Sequence, residues 1–358
     1  MSDFAIIDDG PNRYSTGLLV PAERPRVFQR YAESVFPLLD WGVIKELANS
    51  GSRRMGRKRF GPNYIRNQGS RGSCNGYAGA KATERARELR GADRMVLSGE
   101  DLYAQINGGQ DRGSGLQNGM EALTRSGVAP ESMVPHQEFR NSRISSEAKQ
   151  SRSRFRIQEP LGVDTEQELA SGLALGFVGV VAVHASNAWS RLDGNGVAGT
   201  SNGVGNHSVG VDDVTFISGT ASFDMFNSWG TNWGTQGRAY LQWDRHFRKS
   251  INYHDFYLIP TTWDDPNEDN APVPPGEDVE PVPSSDVLVE METSSGCGWC
   301  QKWNQTERPK AIAAGWEVQS KSPSGPVPKF TLRKGGMSHE FARGFQSFEQ
   351  LKQIAESL

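Results

Sequence analysis

Between Thr262 and Asp286 the chain cannot fold into a packed unit, and this divides everything else. The stretch holds Pro266, Pro272, Pro274, Pro275, Pro281 and Pro283, interleaved with Asp264, Asp265, Glu268, Asp269, Glu277, Asp278 and Glu280. Proline stiffens such a segment, like charges extend it, and it has almost no large apolar residue to bury. It reads as a linker over 262–286. Residues 51–261 then form one large unit, 287–358 a small one, and 1–50 an N-terminal extension.

At 358 residues and 36% hydrophobic content, with 9 tryptophans, the chain is a folded protein with at least one sizeable core. Net charge is −3, which favours neither a nucleic-acid nor a membrane partner. The run Arg53-Arg54-Met55-Gly56-Arg57-Lys58-Arg59 reads as an exposed connector. No stretch approaches the ~20 apolar residues of a membrane span. Met1 to Asp9 lacks the basic start and apolar run of a secretory signal. These features predict a cytoplasmic or particle-associated protein. Cys74, Cys297 and Cys300 are the three cysteines, too few and too unevenly spaced for a disulfide framework. No His/Cys cluster has metal spacing, so neither metal nor other cofactor is expected.

In the large unit, Gly79–Arg90 is rich in helix formers and stops at Gly91, and Leu116–Arg125 is a shorter helix closed by Gly127. Phe177–Val183, Ser208–Ile217 and Ala221–Phe226 read as strands. Helices first and strands later predict an α+β fold with segregated layers. A helix is expected over Val27–Ser34. In the small unit, strands are expected at Val287–Met291, Trp316–Gln319 and Lys329–Arg333, and helices at Cys300–Ala314 and Ser347–Leu358.

The segment Asn67-Gln68-Gly69-Ser70-Arg71-Gly72-Ser73-Cys74 places a thiol just before a helical segment. There, free N–H groups and the helix dipole favour the nucleophilic thiolate. Downstream come Asn206-His207-Ser208-Val209-Gly210-Val211, with a histidine opening an apolar strand, and Asn227-Ser228-Trp229-Gly230-Thr231-Asn232-Trp233-Gly234. Cys74 alone would be an ordinary buried cysteine. Together and in this order, over roughly residues 55–260, the three segments resemble the papain-like cysteine peptidases. The 133 positions from Cys74 to His207 suit that family's spacing.

The resemblance implies a two-lobed fold, a helical lobe beside an antiparallel β lobe, acting on a protein or peptide substrate. It implies Cys74 as nucleophile, His207 as its base and Asn227 as the residue that orients the imidazole. Trp229 would shield that pair, and Gln68 would donate to the oxyanion with the Cys74 N–H. Two positions depart from the family pattern: Arg71 replaces a disulfide cysteine, and Asn75 replaces the aromatic after the nucleophile. Residues 1–50 are short for an inhibitory prosegment and read either as a brief one or as a structural extension. His184 reads as a satisfied residue, and His136, His246, His254 and His339 have no partner pattern.

Cys297-Gly298-Trp299-Cys300 follows a strand and opens a helix, the setting in which C-x-x-C acts as a redox pair. With Val327-Pro328-Lys329-Phe330 and Gly344-Phe345 it resembles thioredoxin-like domains. By that resemblance Cys297 attacks, Cys300 resolves and Pro328 packs against them, with a redox partner protein at the dithiol. Only 31 positions separate Cys297 from Pro328, so the small α/β domain is abbreviated. The buried acid of that family has no secure counterpart here, although Glu290 is near. Two other functions are kept open: a papain-like scaffold without turnover in a structural, viral or phage protein, and a thiol–disulfide oxidoreductase acting through the C-terminal C-x-x-C.

Overall fold

A computed structural model describes residues 6–8, 13–19, 28–49, 65–89, 92–248, 255–261, 287–292, 316–321, 329–334 and 337–341. Residues 300, 302–303, 307–308, 311, 351–352 and 355 complete the described set. The linker and the Arg53–Arg59 run lie outside it. The chain divides into two units, Met1–Glu268 and Asp269–Leu358, with the boundary inside the linker expected from sequence.

In the first unit a short hairpin, β1 (Ile6–Asp8) with β2 (Arg13–Ser15), is followed by helix α1 (Trp41–Asn49). Next come α2 (Cys74–Leu89), α3 (Gly99–Ile106) and α4 (Leu116–Arg125). The strands are β3 (Leu161–Gly162), β4 (Val178–Val183), β5 (His207–Ile217), β6 (Thr220–Phe226), β7 (Arg238–Leu241) and β8 (Phe256–Ile259), with α5 (Glu166–Ala174) between β3 and β4. They form one antiparallel sheet in the order β3-β8-β4-β5-β6-β7. The α+β expectation is met.

The sheet lies between two cores. Val178, Val180 and Ala182 of β4 join Ala78, Ala80, Ala82, Leu102, Leu116 and Met120 from the helices. Val181 and Val183 join Val209, Val211, Leu169, Trp189 and Trp229 on the other face. A strand covered on both faces reads as an unbroken apolar run, as Val178–Val183 does. α2 is buried nearly all round because alanine and glycine let it lie close to its neighbours. At Gly76 a side chain would strike the Gly99 carbonyl. Ser98 caps α3 by accepting from the Asp101 N–H (3.0 Å), and Thr165 with Glu168 forms a capping box on α5.

The helix expected over Val27–Ser34 does not form in its described part, residues 28–34. Only a 3-10 turn, Tyr31–Glu33, forms there. Ser34 ends it by donating from Oγ to the Tyr31 carbonyl (2.6 Å) and accepting from the Phe36 N–H (3.3 Å), a local bonding pattern that competes with helix continuation. The helix of this region is α1, ten residues later, whose Ile44 enters the core.

The second unit is a sheet in the order β10-β9-β11-β12, from β9 (Val287–Glu292), β10 (Glu317–Lys321), β11 (Lys329–Lys334) and β12 (Met337–Glu340). β10 runs parallel to β9, and β11 antiparallel to it. Val287, Val289 and Met291 alternate into a core with Cys300, Trp303, Phe330 and Leu332. Strand β12 was not expected from the sequence. Among the described residues no helix is long and apolar enough to cross a membrane.

Candidate active site

Cys74 opens α2 and is 0% exposed. Its sulfur faces the backbone N–H groups of Ser208, Asn75 and Cys74 itself. The Ser208 contact brings the thiol to the start of β5, beside His207. The His207 ring is also fully buried, and its Nε2 lies 2.8 Å from Asn227 Oδ1. Asn227 Oδ1 additionally accepts from the Ser228 N–H (2.8 Å), which fixes the amide with its oxygen toward the imidazole. Nε2 therefore carries the proton, and Nδ1 makes no hydrogen bond. Trp229 stacks on the imidazole with ring centroids 4.6 Å apart.

Gln68 is held to the same segment. Its N–H donates to the Ser228 carbonyl (2.8 Å), its Oε1 accepts from Ser228 Oγ (2.5 Å), and its Nε2 donates to the Arg71 carbonyl (2.8 Å). The structure thus gathers Gln68, Cys74, His207, Asn227 and Trp229, which lie 160 positions apart in sequence at the Gln68–Ser228 contact. His184 is bonded through Nδ1 to Ser201 Oγ (2.6 Å), and His246 uses both ring nitrogens on backbone groups of Gln242 and Ala198. Neither joins the site. Among the described residues no His/Cys/Asp/Glu cluster could hold a metal.

The two departures from the family pattern have visible roles. Arg71 pairs with Asp111 (3.1 Å), and Asp111 also accepts from the Gly72 N–H (3.0 Å) and the Tyr103 hydroxyl (2.9 Å). An ion pair thus ties the 67–73 loop to the 107–115 loop. Asn75 is buried and donates through Nδ2 to the Gly115 carbonyl (2.6 Å) and Ser114 Oγ (3.2 Å).

Within the N-terminal extension, residues 13–19 lie over the site, a placement that no motif marks. Residues 13–19 run through the cleft between Ser114 and Asn206. The N–H groups of Gly17 and Leu18 both donate to the Asn206 carbonyl (3.0 Å each). The Ser114 N–H donates to the Gly17 carbonyl (2.9 Å), and the Leu19 N–H to the Ser114 carbonyl (3.0 Å). Leu18 is bridged to Ser114 in the parallel sense. Tyr14 stacks on Trp229 (4.9 Å), whose indole donates to the Ser15 carbonyl (2.9 Å). Gly17 has a φ of +156°, and a side chain there would run into the Gly72 backbone. Glycine is the residue that lets the strap lie this close.

Under this cover both ionisable groups are neutral. Burial pushes the Cys74 thiol up to about 12, with the surrounding N–H groups acting the other way. Burial likewise lowers the His207 imidazole to about 4, opposed by the Asn227 hydrogen bond. A histidine with a depressed folded pKa stabilises the closed fold fully above its ordinary value of about 6.5. That stability is lost as pH falls toward about 4. The gap corresponds to about 3 kcal/mol. Thermal melting should therefore fall between pH 6.5 and 4 by more in the wild type than in His207→Gln. Equal acid slopes would exclude His207 as the source.

In the second unit Cys300 is disulfide-bonded and buried, while Cys297 and Pro328 lie outside the described residues. Glu290 pairs with Lys321 and with Arg333 (2.9 Å), and these bonds, Lys321 foremost, hold its carboxyl below the usual range. That is the opposite of the raised value a buried proton relay needs.

The sequence model of the papain family of cysteine proteases matches residues 54–259, more than half of the chain. Peptidase 1 of the mite Dermatophagoides pteronyssinus is 25% identical over 184 residues, which are 49% of this chain. The aligned part spans 56% of the length of that curated relative. Xylellain, a cysteine protease from Xylella fastidiosa, superposes with a TM-score of 0.50 at 22% identity over 69% of this chain and 96% of its own. Digestive procathepsin L 3 of Tenebrio molitor gives a TM-score of 0.44 at 19% identity, over 54% of this chain and 65% of its own. With the match covering the whole span from the Gln68 loop to β8, the chain belongs to the papain family of cysteine proteases.

Proposed function

We propose that the first unit hydrolyses peptide bonds in a protein or peptide substrate through Cys74, His207 and Asn227. The observation that carries this is the His207–Asn227 bond, which leaves Nδ1 unprotonated and unengaged next to the segment that meets the thiol. Once water reaches the pair, Nδ1 takes the thiol proton and the resulting imidazolium stabilises the thiolate. The thiolate attacks the carbonyl carbon. The second N–H of the Gln68 amide and the Cys74 N–H are the donors at hand for the oxyanion, and His207 returns the proton to the leaving amine; water, deprotonated by His207, then cleaves the Cys74 thioester, releasing the acid and restoring the thiol. Catalytic hydrogen bonds often close only when substrate is bound, so the unengaged Nδ1 of the covered form fits this role. Labelling by a peptidyl epoxide is the test: modification at Cys74 that disappears in His207→Ala supports the reading. A wild type that resists the probe after the strap is displaced refutes it.

Residues 13–19 act, in this reading, as a short prosegment that shuts the cleft. Their hydrogen bonds to both walls and the complete burial of Cys74 support this over a purely structural extension. We also infer a thioredoxin-like role for the second unit. Its support is a disulfide-bonded Cys300 in the core beside β9, a central strand with one parallel and one antiparallel neighbour. Replacing Cys297 and Cys300 together by serine should remove reduction of a test disulfide and leave peptide hydrolysis unchanged. Retained reductase activity would refute the role.

A further inference from the structure

Behind the His207–Asn227 pair lies a buried lysine that the chemistry above does not use. Lys81 sits two turns along α2 from Cys74, is 6% exposed, and has Nζ 5.9 Å from the centre of the Phe226 ring. A cavity with about 10 Å³ open to the centre of a water molecule adjoins it. That is room for one water. The lining includes Lys81, Asn227, Ser208, Ser228, Tyr77 and Arg66.

Two groups of the lining residues ask for a partner there. Asn227 Nδ2 and Ser208 Oγ are both buried and make no hydrogen bond to protein. An orphaned buried donor is destabilising, because it has lost its hydrogen bond to water and gained none. A water is satisfied by three polar neighbours, and the residues lining this cavity include an amide (Asn227), a hydroxyl (Ser208) and an amine (Lys81). The chemistry closes: water accepts from Asn227 Nδ2–H and from Lys81, and donates to Ser208 Oγ.

The charges around Lys81 are mixed, with Arg66 and Arg238 opposed by Glu84 and Asp212. Arg66 is itself paired to Glu84, and Asp212 to Arg85 (3.0 Å) and Arg238. Asp212 stands at the β-bulge between Val211 and Asp213, which turns its carboxylate toward these partners. Burial, with Arg66 next in weight, lowers the Lys81 ammonium to about 7. Both its charged and its neutral form can donate to the water.

We propose that Lys81, through one water, holds the Asn227 amide in place and so acts as a positioning residue for His207. The proposal rests on the Cys74–His207–Asn227 reading. What matters is the hydrogen bond and not the volume of the side chain, and this separates it from a packing role. Methionine matches the length of lysine without a donor, and glutamine restores a polar tip.

The test is the rate of Cys74 alkylation by iodoacetamide in the full chain, read by mass spectrometry from pH 5 to 9. Lys81→Met is expected to slow it about tenfold at neutral pH and to flatten the pH profile, and Lys81→Gln to restore most of the rate. A Lys81→Met profile equal to wild type overturns the proposal. So does a loss shared equally by Lys81→Gln with a matching fall in Tm, which is the packing result. Asn227→Ala is the control: if it leaves the profile unmoved, the Cys–His–Asn reading fails, whereas a profile moved by Asn227→Ala alone fails only the lysine. Should Lys81→Met not fold, a high-resolution crystal structure decides. A water bonded to both Lys81 Nζ and Asn227 Nδ2 upholds the proposal, and a cavity without it overturns it.

Discussion

Replacing His207 by alanine should lower kcat/KM for peptide hydrolysis by about 10³ to 10⁴. The cause is specific. At neutral pH a buried thiol beside no base stays protonated, and burial, outweighing the surrounding N–H groups, already pushes Cys74 up to about 12. In the proposed role the imidazole supplies both the proton acceptor and the counter-charge, so its loss removes the nucleophile and the acid together. Because the Asn227 partner is lost as well, the effects of His207→Ala and Asn227→Ala should not add. The measurement is steady-state hydrolysis of a fluorogenic peptide. A variant within tenfold of wild type would mean that another group activates Cys74. His184 is only half-buried, unlike His207, and it is committed to Ser201.

Gly17→Val should raise that same activity on the order of 100-fold. A gain of that size corresponds to a strap that is open in about 1% of molecules, a closing preference of about 3 kcal/mol. A branched side chain at position 17 collides with the Gly72 backbone and cannot be absorbed by a rotamer. A synthetic peptide covering residues 13–19 should then inhibit the variant competitively. If Gly17→Val instead melts early and gains nothing, the segment is a structural extension.

The residues proposed to react could be named from the sequence because each sits in a short motif whose backbone dictates its place. Cys74 precedes an alanine-rich helix, His207 opens an apolar strand, and Asn227 leads a pair of Trp-Gly steps. Leu116–Arg125 and the β4 run were likewise readable from helix stops and β-branched runs. The strap was not legible, since its hold on the cleft is made by backbone groups of Gly17, Leu18 and Leu19, which carry no side-chain signature. Lys81 was hidden for a related reason. In sequence it is one more polar residue on a helix, and only the sheet packed against α2 makes it a buried one. The 3-10 turn at Tyr31–Glu33 was misread as a helix because Ser34 spends its hydroxyl on the backbone, a choice that propensity does not register.

The Arg71–Asp111 pair has a consequence for where the first unit can work. Where the family carries a sulfur bridge in this loop, this chain carries charge, with Arg71 35% and Asp111 17% exposed at the side chain. Such a fastening has no reduction potential and needs no oxidase to form, and Cys74 is free. Glutathione cannot undo it, but ionic strength can loosen it, because a partly solvated pair is screened. The cleft wall is therefore indifferent to redox conditions and responsive to salt, while the disulfide-bonded Cys300 belongs to the other unit.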